Sequence, residues 1–553
     1  MINIKLVNKK NIVLILVIFC TLINCRQEMI LFYVKNIVRK TALPTQKVEW
    51  EKPSPSEIPS NPKNLPNIIL IVADDLGIND LTINGGGVAG GTVPTPHINS
   101  LAKDGVHFTK GYSGNATCAP SRAAMMTGRY PTRYGFEFTP VPINFSRVIG
   151  KTVVPNAIRK PILHSELISD SIPYEEMGLP VSEITVAKIL QSNKYHTVHI
   201  GKWHLGENPK YQPNSHGFNE SLGFMPGASM FLPENHPEVV NAKQDYDPID
   251  KFLWAAHPWQ VRYNGREDFQ PSKYLTDYLT DEAITVIDNN KNRPFFLYLA
   301  YNAPHTPLQS TREDYEALSH IKDHTMRVYA AMIRSLDRNI GRILSELKNK
   351  GLSENTLIIF TSDNGGAHYI GLEDINKPYR GWKATFFEGG IRVPFFMKWP
   401  NKIKPNTKYN EPVSHIDLFS SILGAVEAKN PSDRQIDGVN LLALLEKPNS
   451  EPHEMLYWKS GGYRTLQSKY WKLQVADNPG KDWLFNLKED PTEQNNLATV
   501  LPEKLTELKK VLLEFDKKQS KPLWPSILEA PITIDKPLNR PQSKDDEIIY
   551  WSN

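Results

Sequence analysis

Three stretches of this chain are apolar at consecutive rather than alternate positions: Ile68-Ile69-Leu70-Ile71-Val72, Phe295-Phe296-Leu297-Tyr298-Leu299 and Leu357-Ile358-Ile359-Phe360. A strand wetted on one face alternates. Unbroken runs rich in β-branched and aromatic residues therefore predict strands buried on both faces of a parallel sheet. Ahead of the third run, Tyr329, Met332, Ile333, Leu336, Ile340, Ile343 and Leu347 recur at helical spacing, the mark of an amphipathic helix. Helix, apolar strand and polar loop in that order make an α/β unit.

From about Glu451 the pattern shortens. Met455 to Trp458, Tyr470 to Val475 and Trp483 to Leu487 are divided by Gly and Asn-Pro-Gly, which predicts a small antiparallel sheet. Glu503 to Phe515 predicts a helix over it. The chain thus divides into an α/β body over 67–450 and a C-terminal subdomain with a tail over 451–553. Pro44, Pro53, Pro55, Pro59, Pro62 and Pro66 make 26–66 an extended tether. Residues 1–25 form a leader: Lys5, Lys9 and Lys10 precede an apolar run from Ile12 to Ile23, the length of a signal-peptide core rather than a membrane span. Leu22-Ile23-Asn24-Cys25 resembles a bacterial lipobox, with Asn24 where a small residue is usual. The rival reading is an uncleaved anchor extended by Met29 to Val38. Both readings imply export, to the periplasm, with Cys25 as the candidate lipid anchor.

Each buried run ends in residues that carry chemistry. The first runs into Asp74-Asp75-Leu76-Gly77 and the third into Asp363-Asn364-Gly365-Gly366. Carboxyl ends of central strands are where open α/β sheets bind ligands. Neighbouring strand side chains point to opposite faces, so both aspartates reach one site only if the backbone turns, and Gly77 is the expected turn. Four oxygen ligands suit a hard cation, Ca2+ or Mg2+, and not zinc. His305 follows the second run. Gly201-Lys202-Trp203-His204 puts a cation and an imidazole on one face if the chain stays extended there. Gly381-Trp382-Lys383 supplies a further cation, with Lys377 and Arg380 close by as rivals.

Composition narrows the function. The balance is 64 basic to 60 acidic residues over 553, so no nucleic-acid footprint is present. Cys20 and Cys25 lie in the leader, leaving Cys118 alone in the body and excluding a disulfide framework there. Cys118 opens Cys118-Ala119-Pro120-Ser121-Arg122-Ala123-Ala124-Met125-Met126-Thr127-Gly128-Arg129. Pro120 suits a helix's first turn and Gly128 its stop. Cys118 then sits at a helix N-terminus, which favours anions and thiolates, with Arg122 on the same face.

This segment resembles the signature of the type I, formylglycine-dependent sulfatases, within the alkaline phosphatase-like superfamily. Gly201 to Gly206, the two acidic loops and Lys383 match the same family, and the resemblance spans roughly 67–515. It implies an α/β fold with a large, mostly parallel mixed sheet flanked by helices and a smaller α+β C-terminal subdomain. It implies a sulfuric ester hydrolase in which a maturation enzyme converts Cys118 to Cα-formylglycine (3-oxoalanine). Ca2+, rather than Mg2+, is implied at Asp74, Asp75, Asp363, Asn364 and residue 118. Arg122 is implied to stabilise the hydrated aldehyde, Lys202 and Lys383 to balance the sulfate, and His204 and His305 to share proton transfer with Lys383. Oxygen ligands beside Cys118 suit a hydrated aldehyde better than a thiolate. Ser229 matches a polar position beside the sulfate.

Substrate is less marked. Phe231, His236, Phe252, Trp254, His257, Trp259 and Arg262 form an aromatic, basic segment suited to sugar stacking. Export favours sulfated oligosaccharides, either algal (ulvan or carrageenan) or glycosaminoglycan. The alternatives are a phosphate or phosphonate monoester hydrolase of the same superfamily, and a non-catalytic sulfated-glycan-binding protein.

Overall fold

A computed structural model describes residues 43–57, 65–151, 158–447 and 450–553. The leader, with its candidate lipid anchor at Cys25, lies outside the described residues, as does much of the proline-rich stretch. The first apolar run is β1 (Asn67–Ala73), buried along its whole length. The same sheet holds β2 (Val106–Phe108), β3 (His196–Lys202), β4 (Glu220–Phe224), β5 (Val261–Tyr263), β6 (Asp268–Phe269), β7 (Phe295–Ala300), β8 (Thr356–Ser362), β9 (Phe395–Lys398) and β10 (Thr407–Tyr409). Their order is β10-β2-β9-β8-β1-β7-β3-β4-β5-β6. The central strands β8, β1, β7, β3 and β4 are mutually parallel, while β9 and β5 run against them.

Helices cover both faces, which is why β1 has no polar side. They are α1 (Cys118–Thr127), α2 (Leu275–Asn289), α3 (His324–Asn349) and α4 (Ile416–Ala425). Ile69 and Ile71 pack into the core built with α2 and α3. Ile68, Leu70 and Val72 pack into the core built with α1 and α4. Consecutive residues of one strand thus serve two cores, as the unbroken run requires.

The C-terminal region forms a second, antiparallel sheet of β11 (Leu456–Ser460), β12 (Tyr463–Gln467), β13 (Trp471–Ala476) and β14 (Lys481–Asn486). On one face Leu466, Leu473 and Leu484 pack against Leu508 and Leu512 of α5 (Pro502–Asp516). From β13, fully buried Lys472 reaches the α/β body, with Nζ 2.9 Å from Glu388 Oε1 and 3.0 Å from Glu493 Oε1. Tyr112 and Arg392 also hold Glu388, at 3.0 and 3.1 Å.

Two segments are more structured than their sequence suggests. The stretch read as a tail forms a hairpin, β15 (Leu528–Thr533) and β16 (Ile548–Ser552), which pairs with Ile162–Leu163. Within the stretch read as a tether, Trp50 is buried and its Nε1 donates to Glu282 Oε2 at 2.6 Å. Nearby Tyr263 donates to the Glu49 carbonyl, and the Glu51 N–H donates to Glu220 Oε1. Glu220 also pairs with His196 at 2.8 Å, so this acidic grouping is satisfied by its own partners. Among the described residues no helix is long and apolar enough to cross a membrane.

Candidate active site

Four adjacent parallel strands, β8, β1, β7 and β3, end at one place. Asp74 and Asp75 follow β1, Asp363 and Asn364 follow β8, His305 follows β7, and Lys202 closes β3. The turn that brings both aspartates inward is at Asp75 itself (φ 60°), not at Gly77. Gly77 serves a different need: a Cβ there would lie 2.1 Å from the Ile375 carbonyl oxygen. The strained Asp75 is held by its N–H, which donates to Asp363 Oδ1 at 3.2 Å, and by Asn364 Nδ2, which donates to its Oδ1 at 2.7 Å.

Cys118 is the first residue of α1, whose ten residues are all buried and whose C-cap is Gly128 in the left-handed region (φ 68°). Its Sγ is 3.6 Å from Asp74 Oδ1 and 3.9 Å from Asp75 Oδ1. Burial, together with Asp363 and Asp74, pushes the thiol up to about 12 despite Lys202 and Lys383. The helix N-terminus therefore does not make a thiolate here. Arg122, one turn on, donates from Nε to Asp363 Oδ2 at 2.9 Å and from Nη1 to the Lys202 carbonyl at 3.0 Å. Behind the helix, His415 joins Ser121 Oγ (3.1 Å) to Thr361 Oγ1 (2.8 Å), fixing α1 against β8.

Lys202 Nζ grips both oxygens of Asp74 at 2.9 and 2.7 Å. The chain does not stay extended beyond it. Gly201 (φ 110°) and His204 (φ 59°) are both left-handed, so His204 arrives through a turn rather than by strand alternation. Its imidazole is kept neutral by burial and by Lys202, Arg122 and Lys383, and its Nδ1 is buried with no hydrogen-bond partner. Gly227 lies against the ring, with space for no Cβ: one would sit 2.8 Å from Cε1. His305 is also neutral, pushed down to about 3 by burial and by Lys383 and Lys202, against the pull of Asp75. Its Nδ1–H donates to the Thr306 carbonyl, leaving Nε2 to accept from Lys383 Nζ at 3.2 Å.

Of the three basic candidates near Gly381, only Lys383 enters the site, 2.8 Å from Asp75 Oδ1. Lys377 pairs with Asp374, and Arg380 with Asp535 and Glu547. Ser229 borders the site through its carbonyl, which accepts from Asn302 Nδ2, while its hydroxyl donates to the Met230 and Pro258 carbonyls at 3.2 Å. Two further neighbours border the site. Tyr369 donates to Asp75 Oδ2 at 2.8 Å. Asn302 donates to the Ser229 carbonyl at 2.9 Å and leaves Oδ1 buried and unpaired. The strand-end rule that selects His305 also covers Asn302, whereas nothing periodic marks Tyr369.

Asp74, Asp75 and Asp363 face Arg122, Lys202 and Lys383, an equal count of opposite charges. Asp75 is held well below the usual carboxylate range because Lys383, His305 and Lys202 outweigh its burial. Asp74 is pushed up to about 7, since burial and the Asp363 and Asp75 charges outweigh Lys202 and Arg122. The Asn364 amide, whose Nδ2 donates to Asp75 Oδ1, leaves its Oδ1 buried without a partner among the described residues. A cluster of buried carboxylates and an orphaned amide oxygen fit a hard divalent ion. Asp74, Asp75, Cys118 and His305 each offer an atom within 4.8 Å of the others'.

Comparison with known proteins gives consistent matches. Residues 66–428 match the family model described as Sulfatase, and residues 380–519 match that of N-sulphoglucosamine sulphohydrolase, C-terminal. Mouse N-acetylgalactosamine-6-sulfatase is 32% identical over 400 residues, covering 71% of this chain and 69% of the relative. Human steryl-sulfatase is 32% identical over 503 residues, covering 79% of each. Among solved structures, Ps i-CgsB superposes with a TM-score of 0.69 at 32% identity, covering 83% of this chain and 94% of that one. Ps i-CgsB has also been solved in complex with k-i-k-neocarrahexaose.

Proposed function

The chain belongs to the sulfatase family of sulfuric ester hydrolases, and on that premise we propose that it desulfates oligosaccharides derived from sulfated polysaccharide, using a formylglycine at position 118 and one Ca2+. The observation that carries the mechanism is the oxygen cluster of Asp74, Asp75, Asp363 and the unpaired Asn364 Oδ1 beside the first residue of α1. These four residues would hold the ion. When present, Ca2+ supplies positive charge for a sulfate oxygen, and hydrated formylglycine supplies the attacking hydroxyl.

The chain's own residues do the rest. Without the ion the charges of the site balance. With it, the surplus of two suits a sulfate ester and an adjacent oxyanion. Arg122, locked to Asp363, and Lys202, locked to Asp74, are preorganised cations that need no rearrangement during the reaction. His204 is neutral and its Nδ1 has no partner among the described residues, so it offers a lone pair to a hydroxyl proton, with Lys202, Arg122 and Lys383 making the imidazolium short-lived. Lys383 holds a proton against His305 Nε2, so a departing alcohol can be protonated from Lys383 while His305 orients it.

For the substrate, Ps i-CgsB supports a carrageenan-type oligosaccharide among the candidates. The aromatic segment offers little help, since Phe231 and Trp254 are buried in the fold. The test is sulfate release across sulfated neocarra-oligosaccharides, glycosaminoglycan disaccharides, a steryl sulfate and a matched phosphate ester, alongside mass spectrometry of the Cys118 peptide. Faster turnover of the steryl sulfate or the phosphate than of every oligosaccharide refutes the substrate reading. An unmodified thiol throughout an active preparation refutes the formylglycine. Export to the periplasm belongs to the same proposal, since polymer fragments are met outside the cytoplasm.

A further inference from the structure

Tyr369 stands five residues beyond Asn364, half-buried on the short turn His368–Ile370. Its hydroxyl donates to Asp75 Oδ2 at 2.8 Å and accepts from Lys383 Nζ at 3.1 Å. Lys383 carries three N–H donors, and the structure gives each one an acceptor: Asp75, His305 Nε2 and Tyr369. Among the described residues Tyr369 is thus the one neutral hydroxyl that touches both a carboxylate of the oxygen cluster and the lysine beside it.

The loop carrying Tyr369 is held from outside the α/β body. The connection between β15 and β16 donates from the Leu538 N–H to the His368 carbonyl at 3.1 Å, and from Asn539 Nδ2 to the Gly371 carbonyl at 3.0 Å. Arg540 pairs with Glu373 at 2.6 Å. Those anchors lie beyond residue 519, where both family matches have ended.

Resting on the Ca2+ reading above, we infer that Tyr369 is a positioning residue: its hydroxyl fixes the Asp75 carboxylate for the ion and the Lys383 ammonium for the substrate. Partners of this outer kind orient the direct ligands, and their loss weakens metal binding about tenfold to a hundredfold. Asp75 keeps Asn364 and Lys383 as partners, so the lower end applies.

The test uses the full chain stripped with a chelator and titrated with CaCl2 in a calorimeter, wild type against Tyr369→Phe. Only one oxygen is removed, so the ring packing is retained. The expected result is Ca2+ binding about tenfold weaker in Y369F, with the melting temperature of the metal-free proteins unchanged. Y369F binding Ca2+ within twofold of wild type overturns the inference and leaves the metal reading intact. A wild-type chain that binds no Ca2+ overturns both. Weaker binding accompanied by a lower metal-free melting temperature also overturns it, because the hydroxyl would then be supporting the fold.

Discussion

Replacing Lys472 with Met isolates the electrostatic joint between the small sheet and the body. In the native chain its Nζ lies within 3.0 Å of one oxygen each of Glu388 and Glu493. Those oxygens are therefore no more than about 6 Å apart, and at an effective dielectric near 20 their repulsion is about 3 kcal/mol once the lysine is gone. Arg392 and Tyr112 still hold Glu388, so Glu493 is the group that yields. In the native fold burial has already pushed Glu493 up to about 7, with Glu388 raising it further against the pull of Lys472.

The sign of the pH effect follows. A carboxyl raised in the fold contributes stability below its unfolded value, and that contribution is lost as pH rises through the folded value. Below about pH 7 Glu493 is protonated in both folded proteins, so wild type and variant lose stability in parallel. Above it only the wild type ionises Glu493 against Lys472, and the variant falls behind by about 1.4 kcal/mol per pH unit. The gap should thus be roughly constant from pH 5.5 to 7 and widen by about 2 to 3 kcal/mol by pH 9. Urea unfolding of the full chain, followed by tryptophan fluorescence and checked for reversibility, measures it. Equal gaps at pH 6 and pH 9 would refute the joint as described.

Other consequences are simpler to check. Cys118→Ala should lower sulfate release roughly a thousandfold or more while the protein stays folded, by ion chromatography and circular dichroism. Arg122→Lys keeps the charge but cannot reproduce the contacts to Asp363 and the Lys202 carbonyl; turnover should fall roughly a hundredfold. Gly227→Ala places a methyl against the His204 ring, so kcat should drop by about one to two orders of magnitude with little change in melting temperature. Chelation should abolish activity. Ca2+ restored at a hundred times its Kd should stabilise the chain by about 2.7 kcal/mol, read as a rise in melting temperature.

What was legible in the sequence was whatever the backbone enforces directly. An unbroken apolar run has to be covered on both faces, so Ile68 to Val72 announced both the sheet and its carboxyl-end loops. Pro120 and Gly128 bounded α1 because a helix needs its ends satisfied. Side-chain direction after a strand ends was not legible. Asp75 and His204 both adopt left-handed backbone held by contacts made across the chain, and no local pattern predicts that. The direction of the Ser229 hydroxyl was not legible for the same reason, since its acceptor on Pro258 comes from another loop. Tyr369 was missed because its partners, Asp75 and the β15–β16 connection, are remote in sequence.

The burial of α1 also sets a clock. Cys118 is 3% exposed only because Arg122 has found Asp363 and His415 has tied Ser121 to Thr361. At roughly 5 to 20 residues per second, the about 240 residues from Cys118 to Ser362 take about 10 to 50 s to synthesise. Throughout that interval the segment from Thr117 to Arg129 has no β8 to pack against. Once β8 pairs with β1, Asp363 and Thr361 are in place to hold α1 through Arg122 and His415. Any protein that must act on residue 118 competes against that closure, so delayed docking of β8 lengthens its opportunity and premature docking ends it.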